Sequence, residues 1–208
     1  MAKSTEIVLV RHAETTMISE ARIHGHLDAP LTENGIRAAR KTAAALSADS
    51  FDAFYSSSLG RAMRTAGIIG DSIGLAPAPV DGLRERYYGW LEGKPLALFE
   101  PDLTGPAFMH PFIKFALHVS GEKDDEFPKR VVRAFEEILG KHEGKRILMV
   151  VHWGILSILA KYFKGESMGG WQSVGPWTAC GITEAHLNGR GWKIIRLDDS
   201  RHLVYNIQ

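Results

Sequence analysis

Two short apolar runs, each stopped by a basic residue, constrain this chain more than anything else in it. Ile7-Val8-Leu9-Val10 runs into Arg11-His12, and Ile147-Leu148-Met149-Val150-Val151 runs into His152. Both runs are rich in β-branched residues, and neither alternates with polar ones. Each therefore predicts a strand covered on both faces. Strands of that kind belong to a largely parallel sheet with helices on either side. In open sheets of this type, ligands gather beyond the carboxyl ends of the strands, which is where these basic residues fall.

Between the runs the patterning is helical. Thr32 stands at an N-cap position, with Leu31 and Ile36 placed as a hydrophobic staple, and Ile36, Ala39, Ala43 and Leu46 follow at helical spacing. A short strand at Ala53–Tyr55 leads into a second helix from about Gly60 to Ile73. A third is expected over about Glu126–Lys141 with Val132, Phe135 and Leu139 on one face, and a fourth over Ile155–Phe163, too apolar for a surface helix. Cys180–Leu187 and Trp192–Leu197, around Asn188-Gly189-Arg190-Gly191, predict a β-hairpin that closes the sheet. The expected class is α/β, a three-layer α/β/α arrangement on a largely parallel central sheet.

Length and composition agree with one domain over residues 1–208: 45% of residues are hydrophobic and 24% charged, enough apolar material for a core without metal or disulfide staples. A formal net charge of +1 gives no electrostatic reason to expect nucleic acid or an anionic membrane. The single cysteine, Cys180, excludes an intramolecular disulfide. No apolar run approaches the ~18 residues of a membrane span, and the N-terminus carries no secretory apolar region. A cytoplasmic protein is expected. Lys94–Gly121, rich in Phe, Leu, Met and Pro without clean periodicity, reads as an insertion or lid at about 94–121 over the sheet's edge.

An isolated Arg-His after a strand is usually a solvated loop. Repetition argues otherwise here. Arg11 and His12 end one strand, His152 ends another, and Tyr55-Ser56-Ser57 precedes Arg61 at a helix start, where backbone N–H groups and a guanidinium would meet an anion together. His24-Gly25-His26 is a weak zinc signal, since two histidines two apart lack further spaced ligands. Trp171, Trp177 and His202 read as packing residues, His202 against the hairpin. Arg64 and Arg84 read as serving structure or a solvated face.

These residues resemble a known family. Arg11-His12-Ala13-Glu14-Thr15 is similar to the R-H-G-E-T signature of the histidine phosphatase superfamily, the phosphoglycerate-mutase-like enzymes. Arg22 through Thr32 resembles R-x-Q-G-x-x-D-x-P-L-T, and Tyr55 through Ala62 resembles Y-S-S-x-L-x-R-A. Leu83-Arg84-Glu85 with Gly89, Glu92 and Gly93 resembles L-R-E-x-x-x-G-x-x-E-G, and Val150 through Gly154 resembles V-x-H-G-G. The five segments follow the family's order along nearly the whole chain. The resemblance implies a phosphohistidine formed on His12, a cationic pocket of Arg11, Arg61 and His152, and Glu85 as general acid and base. Glu14, beside the first motif, is the rival acid. The attacking imidazole must be neutral, so its other ring N–H needs an acceptor, which the sequence does not name. The scheme calls for no cofactor and no metal.

Departures from the pattern bear on substrate. Ile18 stands where the family commonly has Asn, Met17 where it often has Trp, His24 where it has Gln, and Trp153 where it has Gly, so the pocket is expected to lose a polar contact and gain bulk near the phosphate. Thr15, His24, Gly25, Tyr87, Tyr88 and Trp153 are the candidate substrate-binding residues, the tyrosines with Trp90 beside Glu85 lining the leaving-group pocket. The insertion (Leu96, Leu98, Phe99, Leu103, Phe108, Met109, Phe112, Ile113 and Phe115, with Lys94 and Lys114) is mostly apolar and suits a hydrophobic leaving group. The expected partner is a small phosphomonoester or phosphate, hydrolysis being favoured over a mutase reaction and over a binding module without turnover. An exposed apolar lid would equally suit a homodimer.

Overall fold

Strands β1 (Thr5–Arg11) and β4 (Arg146–Val151) run side by side and parallel at the centre of the sheet, with Leu9 opposite Met149 and Arg11 opposite Val151. A computed structural model describes residues 4–47, 49–99, 109–175 and 177–204, with backbone alone at 99, 109–114 and 173. Ile7–Val10 and Ile147–Val151 are all buried, as continuous apolar runs require. The sheet has six strands in the order β3-β2-β4-β1-β5-β6, adding β2 (Ala53–Ser57), β3 (Ala78–Val80), β5 (Ile182–Asn188) and β6 (Gly191–Asp199). Four strands are parallel, while β5 pairs antiparallel with β1 and β6 returns antiparallel to β5 as the expected hairpin, so the sheet is mixed.

Helices cover both faces. On one side α2 (Glu33–Leu46) and α3 (Gly60–Ile73) pack Ala43, Leu46, Ala62, Ala66 and Ile69 onto Val8, Val10, Leu148 and Val150. On the other, α5 (Glu126–Lys141) and α6 (Trp153–Lys164) pack Phe127, Val131, Phe135, Ile155 and Leu159 onto Ile7, Leu9, Ile147 and Met149. Alternate residues of one strand thus serve two cores, each large side chain contributing about 1.5–3 kcal/mol of burial. Two short helices, α1 (Thr16–Ser19) and α4 (Met109–Ser120), and several 3₁₀ turns complete the described chain.

Several sequence expectations are refined. Thr32 does cap α2, accepting from the Gly35 amide at 2.9 Å. The buried stripe of α5 is centred on Val131, Phe135 and Ile138, leaving Val132 and Leu139 at its partly buried margins. Strand β3 and helices α1 and α4 were not anticipated: β3 is a three-residue edge strand with a central proline, and α1 is too short for a period to show. Trp171 and Trp177 are core aromatics, 2% and 4% exposed. His202 packs between α2 and the start of the hairpin segment, its Nε2 lying 2.9 Å from Thr42 Oγ1 and 3.2 Å from the Cys180 carbonyl. Among the described residues no helix is long and apolar enough to cross a membrane.

Of the insertion, Leu103 and Phe108 and the side chains of Phe99, Met109, Phe112, Ile113 and Lys114 lie outside the described residues. Leu98, Leu117 and Tyr88 pack around buried Ile23, Leu91 and Ala116, so part of the insertion builds a small core of its own. Leu96, Phe115 and Val119 are exposed.

Candidate active site

Arg11 and His12 leave the end of β1 under tight backbone control. The His12 amide donates to Val151 O at 2.9 Å, and the Ala13 amide to Thr65 Oγ1 at 3.0 Å. Arg11 O accepts from the Cys180 amide, and the Arg11 guanidinium donates through Nη1 to the Trp177 carbonyl. Its Nε is buried and finds no hydrogen-bond partner among the described residues. Arg61 enters from the first turn of α3, 1% exposed, with Nη1 on Leu27 O at 2.9 Å and Nη2 on Gly25 O at 2.8 Å. His152 closes the ring from the end of β4, its imidazole centroid 5.0 Å from that of His12.

Local sequence explains the approach of these groups. Asp28 stands in for the missing cap of α3, accepting from the Arg61 amide at 2.9 Å, and Gly60 leaves the room it needs: a Cβ there would lie 1.8 Å from Asp28 Oδ2. Gly25 holds φ at +54° and faces the Glu92 carboxylate, which accepts from the amides of His26, Leu27 and Tyr88.

The acceptor for the His12 ring N–H is local. Nδ1 lies 2.8 Å from the Ala13 carbonyl, which has no proton to give, so Nδ1 is the protonated nitrogen. Nε2 is left with its lone pair and accepts from Arg61 Nε at 3.4 Å. Burial, with the charges of Arg61 and Arg11, holds the His12 pKa well below the ordinary histidine value. The same causes, burial first, keep His152 neutral. Ser57 Oγ accepts from the Leu59 amide and pairs with His152 Nε2 at 2.7 Å. His152 Nδ1 is buried and finds no partner among the described residues. A buried ring nitrogen with no partner costs stability until a ligand supplies one.

Glu85 lies on the loop after β3, 8% exposed. Its Oε2 accepts from the Gly154 amide at 3.1 Å and its Oε1 from the Arg86 amide at 2.9 Å. The carboxylate therefore caps the N-terminus of α6, two residues from His152. Gly154 permits this, because a Cβ would stand 2.4 Å from Glu85 Oε1. Glu14 is turned away to cap-side work, accepting from Thr32 Oγ1 at 2.6 Å.

The remaining predicted residues divide. Thr15 and His24 pair at 2.6 Å, the His24 ring centroid 6.2 Å from that of His12. Burial lowers the His24 pKa to about 4, with Arg61 and Arg11 adding to the effect. Gly25 contributes its carbonyl to Arg61. Tyr87, 42% exposed, lies at the rim with its ring 5.2 Å from His26, while Tyr88 is half-buried against Leu91 and Ala116. Trp90 is largely exposed. Trp153 is partly buried, its ring packing on the core beside Trp171 and the Gly175 backbone. Thr65 and the Trp177 carbonyl were missed, because their roles follow from tertiary proximity; Ser57, Asp28 and Glu92 lay in quoted motifs without a role. Far from this site, near the start of β1, Glu6, Glu184 and His186 converge with Arg146 inserted between the two carboxylates, at 3.2 Å and 3.4 Å.

Comparison with known proteins agrees with the geometry. Residues 7–200 match the family model of the histidine phosphatase superfamily (branch 1). A metal-independent phosphoserine phosphatase of Arabidopsis thaliana is 33% identical over 96% of this chain and 83% of its own length. Phosphoglycerate mutase-like protein 4 of the same plant is 36% identical over 74% of this chain and 69% of its own. Bacillus stearothermophilus YhfR superposes with a TM-score of 0.81 at 27% identity, covering 96% of this chain and 100% of that one.

Proposed function

This chain belongs to the histidine phosphatase superfamily, and from that we propose that it hydrolyses phosphomonoesters without a metal, through a phosphohistidine on His12. His12 Nε2 attacks phosphorus and the ester P–O bond breaks, the leaving oxygen taking a proton from Glu85. Glu85 then takes a proton from water, whose oxygen attacks phosphorus. The P–N bond breaks, phosphate leaves, and His12 and protonated Glu85 are restored. Arg11, Arg61 and His152 Nδ1 serve the phosphoryl oxygens throughout. One observation carries this reading: a buried, neutral imidazole whose unprotonated Nε2 faces the Arg61 guanidinium, with the Glu85 carboxylate at the start of α6.

Hydrolysis is favoured over phosphoryl exchange by the cations near Glu85. Arg84, Arg86 and Arg130 are each paired with a carboxylate of the chain, Asp81, Asp124 and Glu122. The mutase-like relative keeps the second reading in play. The deciding experiment is phosphate release from p-nitrophenyl phosphate and from phosphoserine with EDTA present, beside rapid-quench trapping of a phosphohistidine. Release that EDTA spares and His12→Ala abolishes is expected. Exchange between phosphoglycerate positions with no net release would favour the mutase.

A further inference from the structure

We propose that Arg130 and Glu122, outside all five family-like segments, are positioning residues for the acid, an inference that rests on Glu85 protonating the leaving group. Arg130 rises from α5 into the loop that carries Glu85. Its Nη1 donates to Gly82 O at 2.9 Å and Arg84 O at 3.0 Å, and its Nη2 to Glu85 O at 3.3 Å. His26 Nε2 donates to the same Glu85 carbonyl at 2.8 Å. The fork is itself fixed by Glu122, whose two carboxylate oxygens accept from Arg130 Nε and Nη2, each at 2.8 Å. Lysine has no such planar array, so only arginine ties three carbonyls and a carboxylate at once.

Glu122 extends the brace to the end of the insertion. Its amide donates to Tyr87 O at 2.8 Å, and its carbonyl accepts from Arg86 Nε and Nη2 at 3.0 and 2.8 Å. Just before it, Ser120 Oγ accepts from the Trp90 amide at 3.0 Å, and Gly89 packs so closely on Ser120 that a Cβ would fall 2.3 Å from its Oγ. The loop bearing the acid is thus clamped between α5 and the end of α4. Both members of the pair are mostly buried, 23% and 15% exposed at the side chain, which strengthens the pairing over a surface one. Among the described residues neither is hydrogen-bonded to Arg11, His12, Arg61 or His152. Their effect must pass through the placement of Glu85, and it should be felt where proton donation limits the rate.

The test compares Glu122→Gln and Arg130→Lys with the parent on p-nitrophenyl phosphate and on a simple alkyl phosphate, with vanadate affinity measured alongside. Turnover of the alkyl phosphate should fall by about ten- to a hundredfold, that of the aryl phosphate by less than about threefold, with vanadate binding unchanged. In a Glu85→Gln background Glu122→Gln should add no further leaving-group-dependent loss. Equal losses on both substrates with vanadate binding intact would overturn the positioning role. Should Arg130→Lys lose vanadate binding, Glu122→Gln decides, since it keeps the length and one acceptor. If Glu85→Gln itself shows no leaving-group dependence, the acid assignment fails; if it does and the two brace variants do not, this inference fails alone.

Discussion

Arg61 Nε points at His12 Nε2 across 3.4 Å, so the charge of one suppresses the protonation of the other. In the proposed reaction this cation keeps the attacking nitrogen unprotonated and also attracts the anion to be attacked. Replacing Arg61 by Met should raise the His12 pKa part of the way toward its ordinary value, burial holding the rest. Turnover should fall on the order of 10²-fold or more. An NMR titration of the His12 ring checks the first statement and steady-state kinetics the second.

Ser57→Ala tests the tautomer of His152. Without the hydroxyl at 2.7 Å, nothing specifies which ring nitrogen carries the proton. Phosphate and vanadate should bind about tenfold more weakly, the worth of roughly one hydrogen bond to a charged group. Unchanged binding would show that Ser57 is only a buried polar side chain of β2.

Stability should depend on pH in a defined direction. His12, His152 and His24 have folded pKa values below the ~6.5 of an unfolded histidine, His24 at about 4. As pH falls through 6.5 the unfolded chain takes up protons that the folded chain refuses, so stability is full above 6.5 and declines toward 4. Urea unfolding at pH 7.5 and pH 5 should show the loss, and added vanadate should recover part of it by binding the folded state. A flat profile between these pH values would count against the buried neutral histidines.

Gly25→Ala should destabilise by about 1–2 kcal/mol, because an L side chain resists the left-handed backbone and the new Cβ meets Glu92. The larger effect falls on function, since the Gly25 carbonyl anchors Arg61. Loss of vanadate affinity exceeding that of a remote, equally destabilising surface variant would separate the two.

Much of this was legible in the chain. The apolar runs ending in Arg11-His12 and His152 fixed the two central strands and placed their basic residues at one sheet edge, because a strand buried on both faces writes its own pattern. Thr32 announced the start of α2 by its hydroxyl. Distances in space left no such mark. Ser57 reads as a strand residue and Thr65 as a helix residue.

Local chemistry therefore determined which elements form and which side chains end them, since backbone propensity and hydrophobic period act over a few residues. Only the packed sheet decided which cation faces the free nitrogen of His12, which loop caps α6, and why Arg130 reaches the carbonyl of Glu85. Those depend on groups brought together across 45 or more positions, as Arg130 is to Glu85, and no local pattern encodes a contact of that kind.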